Sequence, residues 1–265
     1  MNQSLLPWPG ILGLLMLCAA AGVPAAEEDA ATAKADAVSR IIESHDPTLS
    51  VRIGRVYVKQ AALRAARELL VERGRASGVG AEWKLDHPTW VAAERELMEG
   101  IDALIERKVS HPAWVKQAWS ESVMRIVSGE EADEIAVHFA SEGGELQRRV
   151  IEWFVGELTL QTYTFTERLR YGVPGSEAEM RDLQQATYER AMLDRIYDLS
   201  EYPGALRFAS RDPGVKYFKM MVTQGVHALH VHLETVAEEA RRLIRSRADR
   251  ADAHIARALG AARRS

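Results

Sequence analysis

Apolar residues recur every three or four positions along almost the whole chain, and no segment sustains a two-residue alternation. This period places the apolar side chains on one face of an α-helix. The segment from Ser50 to Val58 alternates in part, but a single strand would have no pairing partner, so a helix is favoured there as well. The sequence therefore predicts an all-α protein of about nine helices.

Two similar turns occur in the second half of the chain. Residues 139–146 (FASEGGEL) resemble residues 208–215 (FASRDPGV) when one inserted residue is allowed, and each segment combines a helix end, a tight turn and a new helix start. We expect stacked helical hairpins that bury faces which neither hairpin buries alone. The expected organisation is a signal peptide over residues 1–25, N-terminal helical hairpins over 26–127, a C-terminal helical repeat domain over 128–247 and a basic tail over 248–265.

A second repetition concerns helix starts. The pentapeptide HPTWV at residues 87–91 returns as HPAWV at residues 111–115. Proline is favoured in the first turn of a helix because the N–H that it lacks would have no partner there. We interpret the repeated segment as a way of starting a helix, with Ser110 or His111 as the cap of the second copy, and not as a duplicated binding site.

Capping boxes predict two further helix starts, one formed by Ser128 with Glu131 and one by Ser176 with Glu179. In this motif the serine accepts a hydrogen bond from the N–H three residues later, and the glutamate accepts one from the serine N–H. The pair Gly143-Gly144 is expected to end the helix that Ser128 opens.

The first 25 residues contain no Asp, Glu, Lys or Arg, and residues 11–23 form an apolar run. A membrane-spanning helix needs about 20 apolar residues, so this run is too short to cross a bilayer. Small residues follow it at Val23-Pro24-Ala25. The pattern is typical of a secretory signal peptide cleaved after Ala25 or Ala26, and it predicts export to the periplasm. A retained membrane anchor is the alternative.

Cys18, the single cysteine, lies inside this segment. Lipoprotein processing would make it the acylated first residue, but that cleavage favours a small residue before the cysteine, and Leu17 stands there. A lipid anchor through Cys18 is therefore the less favoured interpretation. Removal of the segment would leave a chain without disulfides or thiolate chemistry.

A short helix, a Phe-x-Ser segment, a Pro-Gly turn and a long Met-containing helix follow one another from Ala205 to Met221. This arrangement resembles an uncharacterised secreted helical domain of Gram-negative bacteria. The resemblance covers residues 193–235, with a fainter copy at 128–150. In that family an aromatic pair usually precedes the turn, whereas Phe208 stands alone here. The resemblance implies an all-helical envelope protein and no particular activity.

Several catalytic motifs are absent from the sequence: the glycine-rich phosphate loop, G-x-S-x-G, H-E-x-x-H and the Glu-x-x-His of di-iron bundles. The densest remaining candidate is a helix face with His227, His230 and Glu234 at positions i, i+3 and i+7. Two imidazoles and a carboxylate could bind zinc and leave an open position for water, as in a metal-dependent hydrolase or a metal carrier. His138 is the first candidate for a further ligand. The alternative is a solvated face of an amphipathic helix.

Glu134, His138 and Glu142 also share a helix face, at i, i+4 and i+8. They could form a cation site or a partner surface. The alternative is that the acids in this region favour the positive N-terminal end of a helix, at about 0.3–1 kcal/mol each.

Residues 241–265 hold eight arginines against Asp249 and Asp252, although the whole chain has a net charge of −4. The signal peptide and the lack of aromatic residues among these arginines argue against nucleic acid. Contact with an anionic envelope surface is more plausible, and the tail itself is expected to be a frayed helix.

Together these features predict a non-enzymatic periplasmic or envelope protein, a binding or adaptor module whose groove between helical hairpins takes an envelope protein or an apolar ligand. We expect no cofactor on this interpretation. Zinc at His227, His230 and Glu234 belongs to the alternative, in which the protein is an enzyme or a metal carrier.

Overall fold

The computed structural model describes residues 25–78, 88–170 and 202–262, together with residues 181, 182, 185, 186 and 189. The helices of these parts are α1 (Ala25–Ser44), α2 (Thr48–Ala76), α3 (Pro88–Leu97), α4 (Ile101–Lys108), α5 (Ala113–Ile126), α6 (Gly129–Phe139), α7 (Glu142–Arg170), α8 (Pro203–Ala209), α9 (Asp212–Met220), α10 (Val226–Arg245) and α11 (Ala248–Ala262). A π-helical turn, Met221–Gly225, joins α9 to α10 in one continuous helix. No strand occurs in these parts of the chain, so the predicted all-α fold of about nine helices is confirmed.

Two large apolar cores lie along this bundle, beside a small cluster of Val150 and Phe154 in α7. The first is formed by α2, α3, α4, α11, the end of α7 and the second half of α10, and it includes Tyr57, Trp90 and Leu233. The second is formed by α1, α5, α6, α7, α8, α9 and the start of α10, and it includes Ile41 and Trp119. Each core takes residues from both predicted halves of the chain. The domain boundary expected at residue 127 stays a prediction.

The repeated HPxWV segment does start helices. Helix α3 begins at Pro88, and α5 begins directly after Pro112. The expected cap at Ser110 or His111 was wrong, because Pro112 is itself the N-cap residue and no side chain caps α5. Trp90 is buried beside α2, where a Cβ on Gly74 would lie 2.6 Å from its ring. The glycine thus makes room for the tryptophan.

The capping box at Ser128 is confirmed. The Glu131 N–H donates to Ser128 Oγ at 3.2 Å, and the Ser128 N–H donates to Glu131 Oε2 at 2.7 Å. The second predicted box, at residues 176–179, lies outside the described residues. The two glycines after α6 do not end that helix, because Gly143 and Gly144 belong to the first turn of α7.

The glycines lie in the first turn of α7 because two segments of backbone approach each other closely there. A Cβ on Gly144 would lie 2.0 Å from the His138 carbonyl oxygen at the end of α6. At the second copy of the turn, a Cβ on Gly214 would lie 2.1 Å from the Phe208 carbonyl oxygen. In both hairpins a glycine in the new helix therefore lets its first turn pack directly on the end of the preceding helix.

The basic C-terminal segment is not frayed as expected. Helix α11 packs on α2 and α3 through Ala251 and Ile255, which are fully buried or nearly so. Arg250 forms an ion pair with Glu99 at 2.7 Å, and His254 forms a hydrogen bond with Glu96. The apolar stripe is thin, but it meets a complementary surface, and part of the positive charge is neutralised within the protein. None of the helices in the described residues is long and apolar enough to span a bilayer.

Candidate functional site

A groove lined by described residues lies between α5 and α10 and has a volume of about 500 Å³. Helix α5 contributes Trp114, Gln117, Ala118, Glu121, Ser122 and Arg125. The end of the π turn and α10 contribute Gln224, His227, Ala228, Val231, His232 and Thr235. Both sets recur every three or four residues, so each helix presents one complete face to the groove.

The composition of these faces explains why the two helices leave a groove. Ala118, Ser122 and Ala228 are partly or fully buried residues with small side chains. Small side chains cannot fill the space between the helices. Longer polar residues such as Gln117 and Arg125 are exposed along the edges. The result is a narrow floor of small residues between polar walls.

One end of the groove is closed by two stacked rings. The rings of Trp114 and His232 lie 4.6 Å apart and within 9° of parallel. The Trp114 Nε1–H donates to the Val109 carbonyl at 2.8 Å, which fixes the indole. The His232 Nε2 lies 3.2 Å from the Lys108 carbonyl and must carry the hydrogen, since a carbonyl only accepts. Burial lowers the pKa of His232, which favours the neutral ring.

The π turn lies at the opposite end of the groove. Its residue Gln224 lines the groove and accepts a hydrogen bond from Arg125 of α5 at 3.2 Å. Within the turn, the Thr223 hydroxyl donates to the Lys219 carbonyl at 2.7 Å. Turns of this kind are rare inside α-helices and occur frequently at functional sites.

The predicted zinc residues are distributed over two environments. His227 is exposed and lines the groove, whereas His230 and Glu234 are half-buried towards α2. The hydroxyl of Tyr57 donates to Glu234 Oε2 and lies 3.5 Å from His230 Nδ1. Burial lowers the pKa of His230, while the charge of Glu234 opposes that shift.

Glu234 is also engaged by two guanidinium groups. Its Oε1 accepts hydrogen bonds from Arg170 at 2.5 Å and from Arg241 at 2.7 Å. Together with the Tyr57 hydroxyl, these bonds engage both oxygens of the carboxylate within the protein. Within the parts of the chain that the structure describes, no group of three or more His, Cys, Asp or Glu side chains is placed to bind a metal ion. The zinc hypothesis stays a prediction.

Of the predicted acidic face, Glu134 and His138 have structural partners, whereas Glu142 is exposed in the first turn of α7. Glu134 forms an ion pair with Arg211 at 2.5 Å. The Nε2 of His138 donates to the Gln147 side chain at 2.7 Å, and its ring stacks on Phe208 at 3.9 Å. These contacts join the two repeated turns to each other. They favour a packing role for His138 over the role of metal ligand.

The sequence did not point to a buried polar network between α1, α7 and α9. The side chain of His45, just beyond the end of α1, is fully buried. Its Nδ1 lies 2.7 Å from Glu152 of α7, and its Nε2 lies 2.7 Å from the hydroxyl of Tyr217 of α9. The Asp46 N–H also donates to Glu152 at 2.9 Å. The sequence signal for this network was Glu152, a charged residue that lies between Ile151 and Trp153 in an apolar stretch.

The hydrogen-bond partners determine the protonation of this network. A carboxylate accepts, so His45 Nδ1 carries the hydrogen and Nε2 accepts the hydrogen of the Tyr217 hydroxyl. Burial lowers the pKa of His45, although Glu152 opposes the shift, and burial raises the pKa of Tyr217 well above its usual value. A single neutral tautomer of His45 therefore gives each of the three side chains a hydrogen-bond partner. The network holds the connection between α1 and α2 in place.

Comparison with known proteins gave no relatives. No family model, no curated protein and no solved structure matches the chain.

Proposed function

We propose that this protein is a non-enzymatic helical binding module of the bacterial envelope, exported by its N-terminal segment. Its ligand is an amphipathic helix of a partner protein, which lies in the groove between α5 and α10. The observation that carries the proposal is the groove itself, because two helices present complete faces there and no other helix of the described residues lies between them.

The dimensions suit a helix. From Trp114 to Arg125 the groove follows 11 residue steps of α5, which is about 16 Å or three turns at 1.5 Å per residue. The small residues on the floor would let a third helix approach closely. Recognition of this kind uses anchors at i, i+3, i+4 and i+7 of the bound helix.

The chemistry of the walls favours a helix over an apolar small molecule. Glu121 and Arg125 carry opposite charges on one wall, and His227 lies on the other. Val231 adds an exposed apolar side chain, 50% accessible. A helix with a narrow face of small and apolar residues and charged flanks would satisfy both the floor and the walls, whereas a purely apolar ligand would leave the polar walls without hydrogen bonds.

The test is site-specific crosslinking in cells. A photo-crosslinking amino acid at Gln117 is expected to give one discrete adduct, and mass spectrometry should place the crosslink within a helical segment of the partner. Ala228→Leu fills the floor and should abolish the adduct. Ala113→Leu, an exposed alanine of the same type at the start of α5 and outside the groove, should leave the adduct unchanged.

A crosslinker at Arg257, on the exposed side of α11, provides the second control. The proposal fails if Gln117 and Arg257 give the same adducts, or if Ala228→Leu leaves the Gln117 adduct in place while the variant is folded. Fractionation of the same cells tests export separately, because a binding module retained in the cytoplasm would contradict the envelope location.

A further inference from the structure

A second cavity, separate from the groove, lies where α2, the end of α7, the end of α10 and the start of α11 meet. It has a volume of about 320 Å³. Its charged lining consists of Arg73, Arg170, Arg241, Arg245, Glu68 and Glu72. Four arginines against two glutamates give this cavity a positive excess in a chain whose net charge is −4.

Part of this positive charge is compensated behind the cavity. Arg241 is buried, and its guanidinium donates to Glu234 at 2.7 Å and to Glu238 at 2.6 Å. Arg170 lies 2.5 Å from Glu234 and 3.4 Å from Glu238. Two carboxylates therefore hold these two guanidinium groups in place, which pre-organises that wall of the cavity.

The other two arginines have unused hydrogen-bonding capacity. Arg73 approaches Asp252 only at 3.5 Å through Nη1, and its Nε is a buried donor without an acceptor. Arg245 forms no ion pair with any described residue. Both arginines line the cavity, so the guanidinium donors that are not used within the protein can donate to a ligand there.

We propose that this cavity binds a small anion, a carboxylate or phosphate group, held by Arg73 and Arg245 beside the wall formed by Arg170 and Arg241. A guanidinium group suits a carboxylate or a phosphate, because its N–H donors can bind two oxygens of either anion at once. The volume admits a small molecule or the end group of a larger one. Glu68 and Glu72 reduce the net positive charge of the cavity. Binding of the anion therefore depends on hydrogen bonds from well-placed guanidinium groups and not on a large net charge.

The test uses the full-length purified protein and isothermal titration calorimetry in a low-salt buffer free of phosphate and carboxylates. Inorganic phosphate and citrate are titrated separately. Saturable binding of at least one of them is expected. Binding of phosphate alone would indicate a phosphorylated ligand, and binding of citrate alone would indicate a carboxylate.

Variants at two neighbouring exposed arginines provide the matched comparison. Arg245→Gln should weaken binding by about tenfold, the usual effect of losing a charged hydrogen bond. Arg242→Gln, on the same helix but outside the cavity lining, should leave the affinity unchanged. Glu72→Gln should tighten binding, because it removes a negative charge from the lining.

Two results would overturn the proposal. One is the absence of saturable binding for both phosphate and citrate by protein that circular dichroism shows to be folded. The other is equal weakening by Arg245→Gln and Arg242→Gln, which would reduce the effect to the general positive charge of the C-terminal segment.

Discussion

His45 Nδ1 lies 2.7 Å from Glu152 Oε1, and the His45 side chain is completely enclosed. This contact holds the connection between α1 and α2 against α7. Replacement of His45 by Leu would leave Glu152 and Tyr217 without their central partner. We expect a loss of about 3 kcal/mol in the free energy of unfolding, because a buried carboxylate loses a hydrogen-bond donor. Urea unfolding followed by circular dichroism measures it.

Tyr217→Phe provides the milder comparison, because it removes one hydrogen bond and keeps the ring. The expected loss is about 1 kcal/mol. Equal effects of His45→Leu and Tyr217→Phe would contradict the central place of His45 in the network.

The same network predicts how stability depends on pH. The pKa of His45 is lowered in the folded protein, so the unfolded chain binds a proton first as the pH falls. The stabilising contribution is fully present above about pH 6.5, the ordinary value for histidine, and is lost as the pH falls below it. The lowered pKa values of His138, His230 and His232 act in the same direction. Midpoints of urea unfolding between pH 7.5 and pH 5.5 measure the loss. His45→Leu should reduce the dependence of the midpoint on pH. An unchanged slope in that variant would exclude His45 as a source.

The close backbone approach at the repeated turns can be tested with Gly144→Ala. The added Cβ would meet a carbonyl oxygen that cannot move without shifting α6, so we expect a loss of about 3 kcal/mol, at the upper end for overpacking. Gly204→Ala is the control, since nothing lies closer than 4.0 Å to a Cβ at that position. It should be neutral or stabilising by about 0.5 kcal/mol. Thermal unfolding of both variants decides, and a neutral Gly144→Ala would contradict the close packing.

The docking of α11 predicts that the basic segment contributes to stability. Ile255→Ala removes a side chain that is 1% exposed, and the expected cost is about 2–4 kcal/mol. A frayed tail would show no effect. Arg257→Gln changes an exposed residue two positions further along and should alter stability by less than about 0.5 kcal/mol. Chemical unfolding of the two variants separates these possibilities.

Local signals in the sequence predicted local structure well. Pro88 and Ser128 act within a single helical turn, so the helix starts that they mark could be found without knowledge of the fold. The error at Gly143 and Gly144 has a different origin. Glycine allows a chain to end a helix, but it also allows close packing, and only the position of α6 shows which of these properties is used.

The candidate sites could not be predicted to the same extent, because their partners are distant in sequence. His227, His230 and Glu234 share a helix, yet Arg170 and Tyr57 determine what Glu234 can bind. His45 gave no signal of its own, since its partners lie more than 100 residues further along the chain. A single residue type at a helix end says little until the tertiary contacts are known.

The π turn has a further consequence for the long helix that contains it. Residues before the turn, such as Met220, belong to the second core, whereas residues from Leu233 onward belong to the first. The change from one core to the other falls within α10, between Leu229 and Leu233, so one continuous helix that includes the π turn supplies side chains to both cores. Because the continuous helix formed by α9, the π turn and α10 contributes to both cores, neither core can unfold without exposing apolar side chains of the other. The protein should therefore behave as a single cooperative unit, and a partner helix bound along that continuous helix would stabilise both cores at once.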